Sequence, residues 1–155
     1  MIYCLHKIEM ENEFMNADLN RAIALLSEGH YTCVACKGEL LHTATFRGVK
    51  PLVRWLDDQT DLTGFSAADK VVGKATAYLY CLLGVRAVHA YVMSTAAMEV
   101  LRNHGIDARC DKEVPGIINR AGDGPCPFEA AVWDIHDPSE ALDAIVRKMT
   151  EMNIR

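Results

Sequence analysis

Between Gly64 and Gly105 two kinds of apolar pattern alternate, and this alternation constrains the fold more than any other feature of the chain. Ala68, Val72, Ala75, Leu79 and Leu82 recur at helical spacing up to Gly84. Residues 86–93 are then β-branched and aromatic, the composition of a strand. Ser94 or Thr95 can cap a second helix carrying Ala97, Met98, Val100 and Leu101, with Gly105 as its stop. Residues 106–114 read as another strand, near a sheet edge because of their charges. Strands separated by single helices pair in parallel through right-handed crossovers, which implies a layered α/β domain.

The flanking segments extend this reading. Residues 1–15 are acidic and without clear pattern, and read as an irregular N-terminal extension to a single domain over 16–155. Asn16 reads as a helix cap, with Leu19, Ala22, Ile23 and Leu26 on one face and Gly29 as the stop. Residues 31–36 and 40–46 form a hairpin about Lys37-Gly38. Pro51 opens a short helix with Leu52, Val53, Trp55 and Leu56. The central helix is expected to span 64–84, with Ser66 and Asp69 as a capping box. A short helix from Pro127 to Trp133 precedes a last one opened by Asp137, with Leu142, Ile145, Val146, Met149 and Met152 as its stripe. The expected architecture is a three-layer α/β/α sandwich with a mixed sheet of four to five strands.

Composition narrows the function classes. The net charge of −5 over 155 residues argues against a nucleic-acid surface. Lys70 and Lys74 interrupt the longest helical candidate, so no membrane span is expected. The first residues lack the order of a signal peptide, which places the protein in the cytoplasm. There the six cysteines are expected as free thiols. Cys33 and Cys36 are three apart in a strand and face opposite ways, unlike metal ligands. His89, inside an apolar strand, reads as a hydrogen-bonded core or interface histidine.

The candidate chemistry sits in two segments. The first is the loop Asn119-Arg120-Ala121-Gly122-Asp123-Gly124-Pro125-Cys126-Pro127-Phe128-Glu129. Glycine-rich backbone ahead of a helix can cradle an anion, which assigns Asn119, Arg120, Gly122 and Gly124 to ligand binding. Cys126 stands at a helix start, where a thiolate is favoured, with Glu129 three residues on as a proton carrier. The competing reading makes Cys126 a small buried residue and Glu129 a cap. The second segment holds Asp69, Lys70, Gly73 and Lys74. Asp69 is either a base or part of the capping box. Lys70 and Lys74 are four apart, either neutralising an anion or forming a solvated face. A glycine inside a helix costs about 1 kcal/mol, so Gly73 suggests close approach by backbone or ligand.

The element order resembles the cytidine-deaminase-like fold. More closely, the chain resembles a small prokaryotic family of unknown function assigned to that fold. Arg47-Gly48-Val49-Lys50-Pro51-Leu52, Ala68–Ala75, Ile118-Asn119-Arg120 and Cys126-Pro127-Phe128-Glu129 carry the likeness, over roughly residues 17–150. Zinc deaminases use His/Cys-x-Glu and Pro-Cys-x-x-Cys at successive helix starts. The corresponding positions here read Ala67-Ala68-Asp69-Lys70 and Ser94-Thr95-Ala96-Ala97, and Pro125-Cys126 follows a whole strand later. The expectation is therefore a protein without zinc or other cofactor that binds a nucleotide or nucleoside-phosphate-like molecule. The alternatives are a metal-independent enzyme with Cys126 as nucleophile and Glu129 or Asp69 as proton carrier, and a homo-oligomeric regulatory or structural module. A homo-oligomer is expected in any case.

Overall fold

The computed structural model describes all residues from 1 to 155. Helix α1 (Ile2–Glu28) leads into a hairpin of β1 (Cys33–Lys37) and β2 (Leu40–Ala44). Helix α2 (Lys50–Asp57) then precedes the alternating core: β3 (Ser66–Val72), α3 (Lys74–Leu83), β4 (Ala87–Ser94), α4 (Thr95–Asn103) and β5 (Asp107–Val114). Two helices close the chain, α5 (Pro127–Val132) and α6 (Pro138–Glu151). The sheet order is β2-β1-β3-β4-β5, with β1 antiparallel to both neighbours and β3, β4 and β5 mutually parallel.

Strand alternation separates two buried layers. Ala22 and Leu26 of α1 pack on Val34, Cys36 and Ala68 at one face of the sheet. Cys33, Ala35, Ala67, Val88 and Ala90 face the other way, into the main core with α2, α3, α4 and α6. Cys33 and Cys36 thus point to opposite faces, and all six cysteines are free. The result is an α/β/α sandwich with a five-stranded mixed sheet. The expected caps form at two helices: Ser94 Oγ accepts from the Ala97 N–H at 3.1 Å and Asp137 from the Glu140 N–H at 3.0 Å.

Several local expectations are overturned. Residues 1–15 are not irregular, because α1 begins at Ile2. Asn16 is therefore mid-helix, and its Oδ1 accepts from Arg109 Nη2 at 3.1 Å. The central helix does not start at Gly64, because residues 66–72 are strand β3. Ser66, Ala67, Ala68 and Asp69 are all buried, since β3 is central and covered on both faces. Such a strand lacks alternation, and a short apolar run of this kind looks the same as a helical stripe. The Ser66–Asp69 capping box does not exist, and Lys70 and Lys74 do not share a helix face. In α6 the buried residues are Ala141, Ala144, Ile145 and Met149, while Val146 and Met152 are exposed.

Candidate functional site

Beyond the carboxyl end of β3, where open α/β sheets commonly bind ligands, lies a cavity of about 290 Å³. Thr32 and Cys33 line it from the start of β1, and Phe46, Arg47, Gly48 and Val49 from the loop ahead of α2. Asp69, Lys70 and Val71 contribute from the end of β3, and Gly73, Ala75 and Thr76 from the turn into α3. Ile117, Cys126, Phe128 and Glu129 complete the wall. Segments distant in sequence therefore meet at one place.

Asp69 is the buried carboxyl of this cavity, 9% exposed and opposite Cys33 in the β1–β3 register. Tyr80 Oη, fully buried on α3, donates to Asp69 Oδ2 at 2.7 Å. The Val71 N–H donates to Oδ1 at 3.3 Å. Burial pushes the Asp69 carboxyl from its ordinary 3.8 up to about 7, against the opposing effect of the Tyr80 hydrogen bond. Burial also raises the Cys33 thiol and the Tyr80 phenol, and the neighbouring Asp69 charge adds to both.

Glu129 is occupied differently. Its two oxygens accept from the backbone N–H groups of Lys74 at 2.8 Å and Ala75 at 2.9 Å. A carboxylate from α5 thus caps the N-terminus of α3, where the helix dipole favours an anion. This explains Gly73, whose φ of −98° any residue could adopt. A Cβ there would lie 2.5 Å from Glu129 Oε1. The close approach expected at Gly73 is made by Glu129.

The other expected ligand residues lie outside the cavity lining. Lys74 Nζ donates to the Trp133 carbonyl at 2.7 Å and sits over the Tyr78 and Trp133 rings. Asn119 and Asp123 bind each other, with Asn119 Nδ2 donating at 2.8 Å and the Asp123 N–H returning at 3.2 Å. Gly122 takes a φ of +74° in this closed loop. Its polar groups bond within the loop, and Arg120 is exposed. What the loop does is deliver Cys126, whose N–H donates to the Ile117 carbonyl at 2.9 Å. Cys126 is half-buried at the cavity and precedes the six-residue α5. So Asp69, Lys70, Gly73, Cys126 and Glu129 converge, while Lys74, Asn119, Arg120, Gly122 and Gly124 stand apart. Sequence reasoning passed over Tyr80, Cys33, Thr32 and Phe46. Tyr80 was hidden by the missed strand, which misplaced the start of α3. His89 lies elsewhere on the sheet, with Nε2 3.2 Å from Asp111 Oδ1.

Comparison with known proteins places this arrangement in a family. A domain of unknown function, DUF1893 (TM1506), matches residues 21–149. The chain belongs to the DUF1893 family. The crystal structure of the DUF1893 family protein TM1506 from Thermotoga maritima is similar at 26% identity and a TM-score of 0.79, covering 85% of this chain and 90% of that one. A dCMP deaminase from the cyanophage S-TIM5, in its apo form, covers 63% of this chain and 97% of its own at 12% identity and a TM-score of 0.41. No curated protein matches the chain. The zinc of the deaminases does not fit the residues of this DUF1893 cavity. No group of three or more His, Cys, Asp or Glu side chains is placed to hold a metal. The lining contains no histidine, and Glu129 spends both oxygens on backbone N–H groups.

Proposed function

We propose that the protein binds a small anionic molecule of nucleotide or nucleoside-phosphate type in the cavity beyond β3, without zinc. One observation carries this reading: a cavity with a buried carboxyl, Asp69, and two exposed cations, Arg47 and Lys70, in its lining. Val49, Val71 and Phe128 supply apolar wall for a flat ring, and the cations suit a phosphate at the mouth. Its volume of about 290 Å³ lies just below the roughly 300–1,000 Å³ usual for ligand sites. The test is calorimetric titration with nucleoside monophosphates. Binding is expected, and Lys70→Ala or Arg47→Ala should weaken it about tenfold, the value of one charge-assisted contact. Failure of every nucleotide to bind would overturn the reading.

A second reading draws on the placement of Cys126 in the same cavity as Asp69. Cys126 would be the nucleophile and Asp69 the proton carrier, since a carboxyl titrating near neutrality suits general acid–base work. Rapid alkylation of Cys126, blocked by bound ligand, would support it.

The proposal includes a cytoplasmic setting and a homo-oligomer. No helix is long and apolar enough to cross a membrane. The first half of α1 exposes Ile2, Tyr3, Leu5, Ile8, Met10 and Phe14, which supports packing against a second copy.

A further inference from the structure

We infer that Asp69 selects the ligand of this cavity by its ring edge, accepting two adjacent N–H donors of the kind guanine presents. The inference rests on the reading that the cavity holds a nucleotide-type molecule, and it names which one. An ionised carboxylate offers about four acceptor sites over its two oxygens and no donor. Tyr80 Oη donates to Oδ2 and the Val71 N–H to Oδ1, while the Lys70 N–H, bonded to the Thr32 carbonyl, adds a further pull on the carboxylate. All three are donors, so they hold the group as an acceptor, and each oxygen keeps acceptor capacity. Asp69 also belongs to the cavity wall, so that capacity is available to a ligand.

A carboxylate accepts best from two parallel N–H groups, the fork it meets in a guanidinium. Guanine carries this fork as its ring N–H and its amino group. Cytosine and adenine set a ring-nitrogen lone pair beside the amino group, which repels a carboxylate oxygen. Hypoxanthine keeps the ring N–H and lacks the amino group. The apolar Val71 and Phe128 pack on the ring, and Lys70 and Arg47 donate to the phosphate.

The test is titration calorimetry of the full chain at pH 8 with GMP, IMP and CMP. GMP is expected to bind at least about tenfold more tightly than IMP, the loss of one charge-assisted hydrogen bond. Asp69→Asn should bring GMP and IMP together, because an amide turns one acceptor into a donor. The comparison on the native chain stands even if that variant fails to fold. Equal affinity for all three nucleotides, or a preference for IMP or CMP, overturns the assignment of Asp69 and leaves the ligand reading intact. No binding by any of them overturns the ligand reading, and this inference with it.

Discussion

A carboxyl held near neutrality inside a protein ties stability to pH, and Asp69 does so with a definite sign. Its folded value of about 7 lies above the ordinary 3.8, so the folded state holds the proton more tightly than the unfolded chain. Stability from this group is present below about pH 4 and is lost as pH rises to about 7, by up to roughly 4 kcal/mol. The groups facing it, Cys33 and Tyr80, are themselves pushed upward and stay neutral across that range. Lys70 and Arg47 line the same cavity, and Glu129 is held by backbone N–H groups. Asp69→Asn keeps an oxygen for Tyr80 and removes the charge. It should raise the melting temperature at pH 8 by roughly 8 °C or more, and at pH 4.5 by only about a quarter as much. An equal shift at both pH values would contradict the burial argument. At Gly73 the sign is opposite. Gly73→Ala drives a Cβ into the Glu129 carboxylate and strips two buried N–H groups, a loss of about 2 kcal/mol or more. In a Glu129→Ala background the same change should add little, because the clash is already gone. Chemical denaturation of the two single variants and the double variant measures this coupling.

Among the elements, α1 is divided. Its second half is fastened to the sheet through Met15, Leu19, Ala22 and Leu26. Its first half carries Leu5 and Ile8 on the same helical line, together with Phe14 at 63% exposure on another. An isolated helix of this length is marginal in water, so a covering surface is what would hold it. Deleting residues 1–13 should leave the melting temperature of the domain within a few degrees and convert an oligomer to a monomer in sedimentation experiments. A large fall in melting temperature with no change in mass would mean that the arm packs on its own domain. That deletion also removes the Glu11 carbonyl that accepts from Arg86, an exposed contact whose loss accounts for the few degrees allowed.

At the scale of the molecule, the cavity is where chain segments far apart in sequence are forced together. The loop 46–49 and the segment 117–129 meet across the end of β3. Ligand binding should therefore slow amide exchange in both segments at once, with β2 and β5 at the sheet edges unaffected. Protection of one segment alone would place the ligand outside this cavity.

Much of this was legible in the residues. Glycine stops, the Pro51 and Pro127 helix starts, and the Ser94 and Asp137 caps are local devices that act within a few residues. They yielded the layered α/β class and most boundaries, and they picked out Asp69, Gly73, Cys126 and Glu129 as unusual. The helical reading of β3 failed because a strand buried on both faces has no alternation to display. Charge and loop composition marked Lys74, Asn119 and Arg120, but those cues cannot say where a side chain turns. Lys74 reaches Trp133 and Asn119 closes its own loop, outcomes set by neighbours 59 and 4 residues away. Partnership is a property of three-dimensional packing. The sequence by itself determined which residues could carry chemistry; only the tertiary fold decided that Glu129 spends its charge capping α3 while Asp69, buried against Tyr80, faces the cavity.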